Sequence, residues 1–464
     1  MQTAIYEHSK APPFKCGQIE CGDSLSTLEY FEPYPVDTSV ALATLLERFE
    51  RDGQSLEISF RKLVSWMKIG ERASHYLHPY PAKLLPHIAH FFLANHLLVG
   101  RDEIVLDPFA GSGTVALETI LSGRAALYAD ANPLGRLITA VKTRSITSAS
   151  LTSAGTEVRA AFSRSRARKR PDVVNLEKWF DSHVIAELVR LRAAINTLDD
   201  DSLREFMFVT FSATLRKVSN SDPRFSVPVR YRDGETRTQT SVTDTFEAQL
   251  ETNITRMSSL GQIATLGEAK PVGDDARRLT TSDGRRQPDN SVSMIISSPP
   301  YASAQKYVRA ASLSLGWLDL VPSKNLRVLE DKNIGREHYL KASWSEIAPT
   351  GIDEADTLIG EIAKINLSRA KIVNNYLIEM RAALMEAVRV LKPGGHFVMV
   401  IGDNTVCGRR FPSSEYLREM LEGMNMTTIL SLIDSIPSRG LMTRRHATAG
   451  IIASETVIVL RKAF

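Results

Sequence analysis

The sequence predicts an α/β fold in which a doubly wound sheet is interrupted by a long, largely helical insertion. Three observations carry this. An apolar run, EIVLD at 103–107, ends in a glycine-rich turn and passes directly into the helical pattern TVALETILSG. A second short strand, AALYAD at 125–130, follows that helix. Strand, glycine-rich turn, helix, strand is the order that opens a doubly wound sheet. Beyond residues 145–268, which are mostly helical in pattern, the alternation resumes with KPVGDD at 270–275 and with SVSMIISSPPY at 291–301.

The 464 residues exceed one ordinary domain. They suit a core of ~200–250 residues plus additions. With 43% hydrophobic and 24% charged residues the chain is globular in composition,. A net charge of +4 permits a nucleic-acid partner without demanding one,. Three cysteines, Cys16, Cys21 and Cys407, are too few and too scattered for a disulfide framework,. The start of the chain, MQTAIYEHSK, lacks the apolar centre of a signal peptide,. No window reaches the ~18 apolar residues of a membrane span. The expectation is a cytoplasmic protein with no membrane contact.

Taken in order, residues 1–37 carry Pro12, Pro13, Pro33 and Pro35 and read as an N-terminal arm. Apolar spacings of three and four predict helix through 38–70, including LEISFRKLVSWMKIG, and again near 85–98,. Residues 38–144 then form a helical lead-in and a cofactor-binding half. Residues 145–268 form the inserted helical domain, a candidate for target recognition, and 269–464 a catalytic half. Within the last part, 301–365 reads as loop-rich. A helix near 372–391 runs into LKPGG, and strands are predicted at 395–404 and 454–462.

The turn DPFAGSGT, residues 107–114, has the chemistry of a ligand cradle. Gly111 and Gly113 let the backbone approach a ligand without a Cβ clash,. The helix beginning at Thr114 offers free N–H groups to a carboxylate or phosphate,. Asp130, at the end of the next strand, is placed to bond ribose hydroxyls,. Gly111, Gly113 and Ala116 also match a dinucleotide fingerprint, G-x-G-x-x-A, so two ligand classes fit,. Asp107 distinguishes them: a carboxylate there suits the ammonium of a methionine moiety, with Phe109 as an apolar wall, and does nothing for a pyrophosphate.

The most informative segment is Ser298-Pro299-Pro300-Tyr301, closing an apolar strand. Prolines cannot continue a central strand, so the segment lies at the carboxyl edge of the sheet, where open α/β sheets bind ligands. An exocyclic amino group on a nucleobase is a poor nucleophile, because its lone pair is delocalised. Acceptors for its N–H groups can hold it in line with an electrophile. The Ser298 hydroxyl and the Pro299 carbonyl are such acceptors, and Tyr301 offers a face on which a flipped base can stack.

These segments together resemble the S-adenosylmethionine-dependent DNA amino-methyltransferases. Phe109, Gly111 and Gly113 resemble that family's cofactor motif, and ALYADANPLG its next segment, with Asp130 as the ribose carboxylate. HPYPAKLLP at 78–86 resembles the segment that closes over the methionine end, which places Pro81 and Lys83 at the cofactor. VGDDARRL at 272–279 resembles the adenine-binding segment, with Asp275 as partner of the adenine amino group and Asp274 as the alternative. SPPY is a form of the family's D/N/S-P-P-Y/F motif, and the serine form resembles cytosine-N4 enzymes more than adenine-N6 ones. The resemblance implies a Rossmann-like methyltransferase sheet, S-adenosyl-L-methionine as cofactor and double-stranded DNA as substrate. It also implies a restriction-modification setting in which a cognate restriction endonuclease is a candidate partner.

Methylation at cytosine C5 needs a cysteine nucleophile. That family sets it after a proline, and none of the three cysteines here follows one. No G-x-x-x-x-G-K-[ST] phosphate loop is present,, and His75, His78, His87, His90 and His96 do not form a metal-ligand pattern,. Candidate phosphate contacts are the run Arg164, Arg166, Arg168, Lys169 and Arg170, the mixed basic and aromatic stretch with Arg216, Arg224, Phe225, Arg230, Tyr231 and Arg232, and Arg439, Arg444 and Arg445,. Tyr307 and Arg309 are candidates to border the base pocket, and Trp317 and Trp344 to anchor the core,. The competing classes are an RNA amino-methyltransferase, a nucleotide-binding dehydrogenase, and a non-catalytic nucleic-acid binder.

Overall fold

The computed structural model describes residues 32–68, 72–81, 83–231, 240–263, 266–302, 307–337, 339, 347–435 and 454–464. The lead-in comprises α1 (Ser39–Asp52), β1 (Leu56–Ile58), α2 (Phe60–Leu63) and α3 (Pro86–Leu93). The first winding is β2 (Ile104–Asp107), α4 (Thr114–Leu121), β3 (Ala125–Tyr128) and α5 (Pro133–Lys142). Five helices follow: α6 (Ser148–Arg164), α7 (Leu176–Trp179), α8 (Ser182–Ile195), α9 (Asp201–Val218) and α10 (Val242–Ser258). The chain then returns to the sheet through β4 (Ala269–Pro271) and β5 (Val292–Ser297), and continues with α11 (Tyr307–Trp317), α12 (Leu326–Lys332), α13 (Asp353–Ile365) and α14 (Leu367–Val390). It ends with β6 (Leu391–Ile401), the hairpin β7 (Asn404–Val406) and β8 (Arg409–Phe411), α15 (Ser413–Glu422), β9 (Met426–Ser435) and β10 (Ser454–Lys462).

Eight strands form one sheet in the order β1-β9-β10-β6-β5-β2-β3-β4. β10 is antiparallel to both its neighbours, and every other pairing is parallel. The expected α/β sheet, doubly wound and Rossmann-like as in methyltransferases, is therefore present. From β2 the chain winds outward through β3 and β4, then crosses back to lay β5 on the other side of β2. The crevice between β2 and β5 is the topological switch point, where such sheets bind ligands.

Period-two patterning explains how the sheet is covered on both faces. Val105, Met294, Ile296, Val398, Val400, Val457 and Val459 face one way, into a cluster with Phe60, Phe91 and Phe92 from α2 and α3. Leu106, Ile295, Phe397, Met399, Ile401, Ile458 and Leu460 face the other way, onto α13, α14 and α15. The inserted helices share a third cluster with α4, α5 and α11, in which Leu151, Leu188, Phe206 and Leu250 meet Leu117, Ile138 and Leu313. Trp317 is fully buried there, edge-on to Phe180 and Phe211 at 5.5 and 5.9 Å, as a core anchor.

Three expectations are corrected. Residues 56–58 are not helical. Gly53, at φ 63°, ends α1, and Leu56–Ile58 then pairs with Leu432–Asp434 as an edge strand. A partner strand outweighs the weak helical spacing of so short a run. Residues 301–365 are not mainly loop, since they contain α11, α12 and α13. In α13 the buried Ala355, Ile359 and Ile362 recur at four and three, and acids at 353, 354 and 356 favour its N-terminus,. LKPGG belongs to a strand: β6 starts at Leu391, opposite Val292, and a register shift follows before Met294. Most of the predicted arm, with Cys16 and Cys21, lies outside the described residues, as do Trp344, Arg232, Arg439, Arg444 and Arg445. No helix among the described residues is long and apolar enough to cross a membrane.

Candidate active site at the switch point

The cradle is built on two left-handed glycines, Gly111 at φ 53° and Gly113 at φ 73°, a conformation that L side chains adopt at a cost,. Gly113 caps α4 directly. The turn is held from the next winding. Asp130 accepts the Gly111 N–H through Oδ2 at 2.8 Å and the Asn132 N–H through Oδ1 at 2.8 Å. Asn132 caps α5 by accepting the Leu134 N–H, with Pro133 at the first helical position,. Its amide also donates to the Tyr80 hydroxyl at 3.1 Å. A Cβ on Gly135 would stand 2.5 Å from the Gly111 carbonyl oxygen, so α5 packs directly on the turn. Nothing in the sequence alone marks Gly135 for this role.

Asp107 ends β2 and Ser297 ends β5, and the two meet across the switch point. Asp107 Oδ1 accepts the Ser297 hydroxyl at 2.6 Å and the Phe109 N–H at 3.1 Å. Burial pushes the Asp107 carboxyl up to about 7, against the lowering effect of those two bonds, and the Asp130 charge adds to the rise,. Burial also raises Asp130, opposed by its backbone hydrogen bonds.

A cleft opens above these strand ends and brings together Phe109, Gly111, Asp130, Asp275, Ser298 and Pro300. Asp275 is held in a two-pronged contact by Arg277 at 2.8 and 2.9 Å, whereas Asp274 is turned to Lys332 at 3.0 Å and does not line the cleft. Tyr80, Ala276, Lys332, Asn333 and Ile334 also line it, and sequence reading missed them. Tyr80 lies within HPYPAKLLP. Asn333 and Ile334 follow α12 and carry no motif. Tyr307, expected near the base, also lines the cleft.

Lys83 and Thr114 line a neighbouring cavity, together with Arg61, His75, Asp434 and Glu455. Lys83 donates to the His78 carbonyl, and burial, with the Arg256 charge, pulls it down to about 8. Asp107, Gly113, Pro81, Pro299 and Tyr301 line neither cavity. Tyr301 instead donates its hydroxyl to Glu455 Oε1 at 2.7 Å. Asn404, after β6, donates to the Ala302 carbonyl and so fixes the backbone that follows SPPY.

His75, His78 and His90 near the cradle have structural partners. His75 bonds Glu118 Oε1 at 2.7 Å, and Arg72 grips both Glu118 oxygens at 2.7 Å. Arg164 ends α6, and Arg166, Arg168, Lys169 and Arg170 lie exposed on the segment after it, with Arg170 paired to Glu177 at 2.6 Å. Arg216 is spent on the Phe225 and Ser226 carbonyls and Arg224 on Asp222, so in that stretch Arg230 is the exposed arginine without such a contact among the described residues.

Sheet order, switch-point cleft and acid-braced glycine turn define the class: an α/β protein with a Rossmann-like methyltransferase sheet. The chain is 24% identical over 423 residues to the type II methyltransferase M.MvaI of Kocuria varians, covering 84% of this chain and 91% of that protein. It is 38% identical over 68 residues to the type II methyltransferase M.MjaII of Methanocaldococcus jannaschii, which is 15% of this chain and 12% of that one. Among solved structures, a SAM-dependent methyltransferase from Methanosarcina mazei aligns at 10% identity and TM-score 0.29, covering 82% of this chain and all of its own. A putative DNA modification methylase from Thermus thermophilus, complexed with S-adenosyl-L-methionine, aligns at 18% identity and TM-score 0.19 over 38% of this chain and 50% of its own. No protein-family model matches the chain.

Proposed function

We propose that the chain is an S-adenosylmethionine-dependent DNA methyltransferase that modifies the exocyclic amino group of a flipped base, with cytosine N4 the target and adenine N6 the alternative. One observation carries this. The SPPY serine and its second proline face the same cleft as the acid-braced glycine turn, so a nucleoside-binding cradle and an amino-group acceptor share one cavity. The residues fit the cofactor. Asp130 keeps lone pairs for ribose hydroxyls, Asp275 faces the adenine position, Phe109 supplies an apolar wall, and Asp107 answers an ammonium. Lys83 and Thr114 are assigned to the carboxylate end, with Pro81 shaping the segment above it. A restriction endonuclease of matching specificity is the partner this reading names.

When bound, S-adenosylmethionine supplies an electrophilic methyl group on a sulfonium. The protein's own work is positional. Ser298 Oγ and the Pro299 carbonyl accept the two amino N–H bonds, and the prolines leave no competing backbone donor between them. Pro300 walls the cleft and Tyr301 gives the base a surface to stack on. Holding both reactants in line is worth up to ~7–11 kcal/mol in well-oriented systems.

The test is expression in a host free of DNA methylation, followed by mass spectrometry of nucleosides from its genomic DNA. N4-methylcytosine is expected. N6-methyladenine would keep the reaction and move the target. Neither mark, from protein that binds the cofactor, would overturn the DNA reading. Ser298→Ala and Pro299→Ala should each abolish transfer while leaving cofactor and DNA binding nearly intact.

A further inference from the structure

The acid that meets Tyr301 comes from a strand that sequence spacing does not connect to it. Tyr301 follows β5, while Glu455 lies at the start of β10, two strands away beyond β6. Glu455 is also the cross-strand partner of Asp434 on β9. Directly opposite residues project from the same face of a sheet, so two carboxyls stand side by side, an arrangement that costs stability. Burial raises both carboxyls, and the Asp434 charge lifts Glu455 further, while Arg61 draws each of them down. Asp434 is 4% exposed, and its Oδ1 has no hydrogen-bond partner among the described residues. Both acids line the cavity that holds Lys83 and Thr114. A buried like-charge pair with an unsatisfied oxygen is a poor way to stabilise a sheet, and such costs cluster at functional sites.

We infer that Glu455 is a positioning residue for methyl transfer, anchoring the far end of the Tyr301 side chain, and so the direction in which its ring points, by accepting its hydroxyl. The inference rests on the reading above, in which the flipped base stacks on Tyr301. A stacking surface works only when it is held in place. Tyr301 packs on the apolar cluster under α14, and the Glu455 contact adds a fixed point at the far end of the ring. The hydroxyl lies at the far end of the side chain, so a bond there resists displacement of the whole ring with the longest lever. Glu455 and its neighbour Asp434 do not line the cleft that holds Asp130 and Asp275, but they share the cavity of Lys83 and Thr114, assigned above to the cofactor's carboxylate end. The positioning role is therefore read in kcat at saturating cofactor, which separates it from cofactor affinity.

The experiment measures kcat on DNA and cofactor Kd for wild type, Glu455→Ala, Tyr301→Phe, their double variant and Glu455→Gln. Glu455→Ala and Tyr301→Phe should each lower kcat by roughly 10- to 100-fold, the size of one hydrogen bond to a charged group. The double variant should be no worse than Tyr301→Phe, which already removes the bond to Glu455. Glu455→Gln keeps an acceptor and should recover most of the loss, which a general packing role would not predict. Each kcat is taken at cofactor concentrations that saturate that variant, as its Kd defines, so a change in cofactor affinity does not enter the comparison. Unchanged kcat in Glu455→Ala, or losses that multiply in the double variant, would overturn the positioning role alone. A wild-type protein that methylates no DNA would overturn the function and the inference together. If Glu455→Ala fails to fold, Tyr301→Phe with wild-type kcat overturns the positioning role equally.

Discussion

At the residue scale, Asp107 carries a measurable signature. Its carboxyl is pushed up to about 7, so it is neutral below that pH and charged above it. An ammonium is bound by the charged form. Cofactor affinity should therefore rise between about pH 6 and pH 8, and Asp107→Asn should flatten that rise. Isothermal titration of the cofactor at several pH values checks both, and a profile unchanged in Asp107→Asn would remove Asp107 from the ammonium site. Gly135 gives a steric counterpart. Gly135→Ala drives a methyl group against the Gly111 carbonyl, where backbone rather than a flexible side chain must give way. It should destabilise the fold by about 1–3 kcal/mol, the usual cost of overpacking, and weaken cofactor binding through the displaced turn. Denaturant midpoints and cofactor Kd would show it. Asp107, Gly111, Asp130 and Ser298 were readable because each is tied to a strand end within a short, chemically distinctive stretch. Glu455 and Ile334 were not, because what makes them matter is which residues stand beside them after folding.

At the element scale the contrast is between windings and edges. β2, α4, β3 and β5 were legible, since a buried parallel strand must be apolar throughout and its helix must begin at the turn. β1 was misread because three residues are too few to show a period, and only the β9 backbone makes them a strand. α11 was hidden behind the small residues of AASLSLGW, whose burial depends on α9 and α5. That burial predicts a result for α11. Trp317→Ala should cost about 3–5 kcal/mol, as for other fully buried large aromatics. Because its cluster reaches from the inserted helices to α4 and α5, thermal unfolding should shift as one transition. Separate melting of the insertion would show that the shared cluster does not couple them.

At the scale of the whole molecule, a net charge of +4 spread over the chain says little, but the basic run at 164–170 concentrates charge in one place. If it contacts DNA phosphates, neutralising Arg164, Arg166, Arg168 and Lys169 to Gln should weaken binding similarly on all sequences. It should also reduce the slope of log affinity against log salt by roughly 0.9 per lost contact. Binding isotherms at several salt concentrations would measure the slope, and an unchanged one would place the run away from the duplex. The position of β10 has a different kind of consequence. It is made after every other strand of the sheet, yet it sits inside that sheet, between β6 and β9. Until the ribosome has delivered it, β9 and β1 have no sheet to join, and the wall that carries Glu455 does not exist. Synthesis therefore passes through a long interval in which the cofactor half can assemble while the edge of β6 stays open to the wrong partner, the stage at which such chains call on chaperones.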